Sequence, residues 1–360
     1  DGSRAVFAVT RPDLEEDAYL GSLWSVPTDG SAPPARLTRG DRDNAPVFSP
    51  DGRWIAFLRP DENKRPQIHI LPADGGEPWK ITSHPLGAGT PAWSPDSTRV
   101  AYTARVPEEG RYVDVEPGKE PPRRITRLKY RLDGLGFTND RRSHVFVSAP
   151  ITPSDEAGEP VQVTRGDFDH SSVSWSPDGS ELLFSAARHA TRDTDLVRDL
   201  WACAPEEGAE PRRVTAQTLD AGHGVFSRDG ATVYFLGDEL GPDLNDFVGQ
   251  TTALWSVPAD ASAAPTRLTP DHGPRMAQGP EVTDEGLWGS AEVQGSVELV
   301  RVPFGGGEPE PLIGGRVQVQ SFAVAGGVTV AVVADGRSSG ELLVVTDEGT
   351  RALTDLAGAL

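Results

Sequence analysis

The residues that could do chemistry are concentrated in one stretch, KYRLDGLGFTNDRRSHVFV at 129–147, and are thinly scattered elsewhere. Residues 119–142 hold eight cations (Lys119, Arg123, Arg124, Arg127, Lys129, Arg131, Arg141 and Arg142) against Glu120, Asp133 and Asp140. That local +5 sits in a chain of formal charge −20. A guanidinium fork meets a carboxylate through two parallel hydrogen bonds, and such charge-assisted contacts are about twice as strong as neutral ones. Arg131 is the first candidate for holding a carboxylate ligand, with Arg141 and Arg142 behind it and Tyr130 and Phe137 beside it. Gly134 and Gly136 would let the backbone bend sharply there. On charge alone, the same segment reads as a solvated hairpin whose arginines pair with acidic surroundings, each exposed pair contributing little.

Other candidate groups point to structure. The seven histidines never fall at a metal-ligand spacing such as H-x-x-x-H, so no metal and no cofactor is expected. His170, in DFDHSS, is expected to stitch strands by hydrogen bonding. Cys203 is the one cysteine; in LWACAP it reads as a small buried hydrophobe and excludes a disulfide framework. The glycines of PFGGGEP at 303–309 lack the following helix that a phosphate cradle needs.

The elements that must position these residues are repeats. A turn recurs as VFSPDG at 47–52, AWSPDS at 92–97, SWSPDG at 174–179 and VFSRDG at 225–230. Proline presets the first central turn position, Asp suits the second, and Gly accepts the left-handed conformation that follows. An apolar run recurs from LWSVPTDG at 23–30 to LLVVTDEG at 342–349, and a short edge-like strand from PARLT at 34–38 to TRALT at 350–354. The short strands end at 38, 82, 164, 215, 269, 313 and 354, a spacing near 45 with one gap of 82. Four short antiparallel strands at that period predict an all-β chain, a seven-bladed β-propeller of four-stranded blades. Eight blades is the minor alternative, since PRRIT at 122–126 mimics the short strand. The whole of 1–360 reads as one propeller domain, with the long gap an insertion in blade three at about 106–142. Trp24, Trp93, Trp175, Trp201 and Trp255 are expected at equivalent core positions.

Acidity argues against nucleic acid and anionic membrane surfaces as partners, because both call for clustered cations. No apolar run approaches a membrane helix in length.

Residues 127–147 and the run from TRGDFDHSSVSWSPDG (164–179) to RDLW (198–201) resemble the propeller of the acylaminoacyl-peptidase branch of the prolyl oligopeptidase family. The resemblance implies a propeller that caps a C-terminal α/β-hydrolase domain carrying a Ser-Asp-His triad and admits only short peptides. No strand–turn–helix bearing a G-x-S-x-G elbow is read in this chain. The expectation is therefore a non-catalytic lid and substrate-gating domain of a serine peptidase, whose hydrolase domain is a further part of the same polypeptide. Its cationic segment would bind a short peptide's carboxylate, in a cytoplasmic setting. The alternative is a stand-alone, periplasmic Tol-like propeller serving as a protein-interaction scaffold. Homo-oligomerisation through an exposed edge of the first or last blade stays open.

Overall fold

A computed structural model describes every residue except Glu16, Pro117, residues 154–157, Asp347 and Leu360. Pro117 of the expected insertion and Asp347 of the last apolar run thus lie outside the described residues. These contain no α-helix, only strands and one short 3₁₀ turn at Ala357–Ala359.

The strands form successive antiparallel meanders. The first sheet has three strands, Arg4–Asp13, Ala18–Pro27 and Ala35–Arg36. The second runs Asn44–Phe48, Trp54–Pro60, Pro66–Pro72 and Trp79–Lys80. The third pairs Ala92–Trp93, Val100–Pro107, Arg141–Val147 and Val161–Gln162 in that spatial order. The fourth comprises His170–Trp175, Leu182–Ala186, Asp199–Cys203 and Arg212–Arg213. The fifth comprises Leu219–Phe226, Thr232–Glu239, Ala253–Pro258 and Thr266–Arg267. An eight-stranded sheet follows, in which one parallel bridge, Val297 to Gln318, joins two meanders. These run from Arg275–Val282 to Glu310–Ile313 and from Gln318–Ala325 to Gly349–Ala352. Two compact units divide the chain: unit 1 holds residues 1–41, 223–239 and 247–360, and unit 2 holds residues 42–222 and 240–246.

The repeated turn works through its serine as much as its proline. Ser49 Oγ donates to Asp51 Oδ1 at 2.5 Å and accepts from Trp54 N at 3.0 Å, while Gly52 takes φ +71°. The same clasp joins Ser94 to Asp96, Ser176 to Asp178 and Ser227 to Asp229. The short last strands of these sheets are followed two residues on by a threonine, for an equally local reason. Thr38, Thr82, Thr164, Thr215, Thr269 and Thr354 are all buried, and each hydroxyl accepts a backbone N–H from the adjacent strand. A buried donor without such a partner would be costly.

Strand alternation builds the core. In the third sheet Val100, Tyr102 and Phe146 pack towards Ile68 and Ile70 of the second. Their neighbours Ala101, Val145 and Val147 pack towards Leu182 and Phe184 of the fourth. Tyr102, Phe57, Phe184 and Phe235 are fully buried, each such side chain stabilising by about 1.5–3 kcal/mol. The tryptophans fall into two classes rather than one. Trp93 and Trp175 donate to Val47 O and Ala92 O of the preceding sheet, whereas Trp24, Trp201 and Trp255 bond within their own sheets. Trp54 and Trp79 form an edge-on pair, 5.4 Å apart.

Candidate functional site

The third sheet is where the repeat opens. Val100–Pro107 and Arg141–Val147 are hydrogen-bonded neighbours in register Pro107 to Arg141, and Glu108 N meets Asp140 O at 2.9 Å. Residues 109–139 therefore leave and return at one point of the sheet. Their root is a buried carboxylate: Asp140 accepts from Tyr112 Oη at 2.7 Å and from Arg123 Nε at 2.6 Å. Burial works to raise the Asp140 pKa, but these hydrogen bonds outweigh it and hold the carboxyl below its ordinary value. Arg123 also pairs with Glu120 and lies 4.4 Å above the Phe137 ring. Cation–aromatic stacking thus replaces an apolar core in this small subdomain.

The tip is a two-stranded hairpin, Arg131–Leu132 against Gly136–Phe137. Gly134 and Gly136 take φ +72° and +85°, the left-handed region the turn requires. Beneath it lies a cavity of about 860 Å³, walled in part by Lys129, Leu132, Leu135, Arg142, Phe168 and Arg192.

An arginine–aspartate lattice holds the hairpin there. Asp167 receives Arg127 at 2.5 Å, Arg142 at 2.8 Å and Arg192 at 3.5 Å, three cations from separate segments. Arg142 also reaches Asp169 at 2.8 Å, where Arg105 joins at 3.0 Å, and Arg127 reaches Asp193 at 3.2 Å. Lys129 Nζ donates to the Asp195 carbonyl. Partial burial raises the Asp167 pKa, but the bonds and charges of Arg142 and Arg127 prevail and lower it.

The expected ligand-binding residues divide accordingly. Arg142 is in the cavity wall but committed to Asp167 and Asp169. Arg141 turns back on its own loop, donating to Phe137 O at 2.7 Å and to Leu135 O. Arg131 is exposed, outside the wall, with its guanidinium 5.9 Å from the Phe137 ring and no ion pair among the described residues. Tyr130 and Phe137 stack at 6.1 Å, likewise outside the wall.

Sequence reading passed over two features. The buried pair His189 Nε2–Asp195 Oδ1, 2.8 Å apart, lies in the loop whose Asp193, Leu196 and Val197 line the cavity. It also passed over one G-x-S-x-G pentapeptide, Gly336-Arg337-Ser338-Ser339-Gly340. This falls in the loop between strands Val328–Ala334 and Glu341–Thr346, where Ser338 Oγ donates to Glu341 at 3.0 Å. No helix follows it, so it is not a nucleophile elbow. His170 Nδ1 lies 2.9 Å from Ser143 O, which can only accept, so that nitrogen carries the proton and Nε2 accepts from Arg188 at 3.0 Å. Burial lowers the His170 pKa to about 3, so it is a neutral stitch between the third and fourth sheets. Burial likewise pushes the Cys203 thiol up to about 11. Among the described residues, no three His, Cys, Asp or Glu side chains are grouped to hold a metal.

Meanders of short strands with a cavity-forming insertion define a class: the chain is a β-propeller domain resembling those of prolyl oligopeptidase-family peptidases. The acylaminoacyl peptidase of Pyrococcus horikoshii superimposes on 99% of this chain with 51% of its own, at TM-score 0.74 and 17% identity. The propeller domain of the trilobed protease from Pyrococcus furiosus matches 98% of this chain with 93% of its own, at TM-score 0.68 and 16% identity. In sequence, the uncharacterized peptidase YuxL of Bacillus subtilis is 32% identical over 208 residues, 56% of this chain and 30% of that protein. The matched segment thus spans under a third of that curated relative, and the chain about half of the P. horikoshii peptidase. No family model matches the chain.

Proposed function

We propose that this chain is the non-catalytic, seven-bladed propeller of a serine peptidase, acting as lid and filter for an α/β-hydrolase domain of the same polypeptide. The two meanders joined by a single bridge count as two blades, and the three-stranded first sheet as one. The observation that carries the reading is the hairpin 129–138, held by the arginine–aspartate lattice over a cavity wide enough for a short peptide. The lattice is a rigid rim rather than a carboxylate trap, because a committed guanidinium must give up one carboxylate to take another. Arg131 has unspent donors at the hairpin, next to Leu132 of the wall, and is assigned the peptide carboxylate.

The test is steady-state hydrolysis by the polypeptide that includes the hydrolase domain. Arg131→Ala should raise KM for free-carboxylate peptides by about tenfold, the scale of one lost charge-assisted contact, and spare C-terminally amidated ones. Equal effects on both substrates would remove Arg131 from this role, and peptide cleavage by isolated 1–360 would remove the lid reading itself.

A further inference from the structure

Five large apolar side chains reach the cavity from four separate segments of unit 2, and none of them is fully buried. Leu86 comes from the loop after the second sheet, and Leu132 and Leu135 from the hairpin. Phe168 comes from the connection into the fourth sheet, and Leu196 from the loop between its second and third strands. Leu132 is 57% exposed. One exposed leucine means little, but five apolar side chains facing one hollow leave a lining in contact with water.

This lining is held in place before any ligand arrives. The guanidinium carbons of Arg188 and Arg192 lie 4.6 and 4.9 Å from the centre of the Phe168 ring and fix it by cation–aromatic contact. Leu135 sits in the hairpin turn, where its N–H donates to Leu132 O at 3.3 Å and its carbonyl accepts from Arg141. Leu196 N donates to Leu244 O at 2.9 Å. A site formed in advance loses little freedom on binding.

The charged groups of the wall are already engaged with one another. Arg198 takes both carboxylate oxygens of Asp220. Arg105 divides its donors between Asp169 and Arg141 O, at 3.0 Å each, and Arg192 donates to His189 O at 3.0 Å beside its pairing with Asp167. Arg142 and Lys129 are committed as described above, and Asp193 has Arg127. A carboxylate entering the cavity must therefore displace an aspartate from its arginine, and an ammonium must displace an arginine from its aspartate. Either leaves a partly buried charge without its partner. An uncharged apolar group meets no such penalty and covers the leucines and the ring.

We propose that the cavity is a side-chain site for a peptide, taking an uncharged branched or aromatic residue against Leu135, Phe168 and Leu196 and turning charged residues away. That the ligand is a peptide rests on the lid-and-filter reading; the preference for an uncharged apolar group rests on the wall alone.

Calorimetric titration of chain 1–360 with four doubly blocked tripeptides tests it: acetyl-Ala-Xaa-Ala-amide, with Phe, Leu, Asp or Lys in the centre. Blocked ends remove any carboxylate that Arg131 could hold. The Phe and Leu peptides should bind about tenfold or more tightly than the Asp and Lys peptides, with a negative heat-capacity change and shifted methyl resonances of Leu135 and Leu196. Leu135→Asn, in a turn outside every strand, should weaken binding of the Phe peptide several-fold, and Leu135→Phe should keep it. Asp or Lys peptides binding as tightly as the Phe peptide, no binding of any of the four, or binding that Leu135→Asn leaves unchanged would overturn the proposal. Apolar-selective binding by 1–360 would sustain it even where the cleavage tests remove the lid reading, so the two fail separately.

Discussion

Six threonines and four serines do at the residue scale what the repeat does at the scale of the fold. Each threonine hydroxyl takes an N–H of the neighbouring strand, a donor that would otherwise be left buried. Thr269 is the cleanest case, with Leu254 N at 3.1 Å and the threonine 4% exposed. Thr269→Val keeps the shape and removes the acceptor, so it should cost about 1–3 kcal/mol in urea-induced unfolding, as an unsatisfied buried donor does. Thr269→Ser should recover most of that, which a purely steric role for the methyl group would not allow. The arginines divide by the same kind of accounting: Arg142 and Arg127 have spent their forks on aspartates, and Arg131 has not.

Among the elements, the insertion differs from every sheet in what holds it. Its residues 121–129 belong to no strand, Leu128 is 73% exposed, and much of its attachment runs through Arg127, Lys129 and Arg142. Asp167 is the common point, so Asp167→Asn should weaken the hold on Arg127, Arg142 and Arg192 together, leaving Arg127 to Asp193 and Arg142 to Asp169. Trypsin, which cuts after arginine and lysine, should then cleave within 123–131 several-fold faster, and added salt should speed cleavage of the parent chain in the same way. Unchanged cleavage in the variant and no salt dependence would mean that the lattice does not hold the hairpin. The all-β character and the repeated turns were legible in the sequence, because Ser-Pro-Asp-Gly and period-two alternation are local signals. The commitments of the arginines were not, since Arg127 finds its partners 40 and 66 residues away. Nor could spacing separate Trp93 and Trp175 from the other tryptophans, because the difference lies in which sheet each indole reaches.

For the molecule as a whole, charge and burial predict an acid response that is uneven between the two units. Burial holds His84 and His144 down to about 4 and His170 to about 3, against an ordinary value of 6.5. All three lie in unit 2. Their folded values are depressed, so the native state binds fewer protons than the unfolded chain once the pH falls below about 6.5. Stability is therefore lost as the pH drops from 6.5 towards 4, by about 1.4 kcal/mol per pH unit for each histidine. Carboxylates such as Asp140 and Asp167 act in a lower window, because their folded values lie below the ordinary carboxylate range. Unfolding by urea at pH 7, 6 and 5 should thus show a steep decline before Asp140 and Asp167 titrate, and exchange mapping should place the first loss of protection in the second, third and fourth sheets. His170→Gln, if it keeps the bond to Arg188, should flatten the slope by about one histidine's share. A flat profile from pH 7 to 5, or first opening in the last meanders of unit 1, would contradict the neutral state assigned to these three side chains.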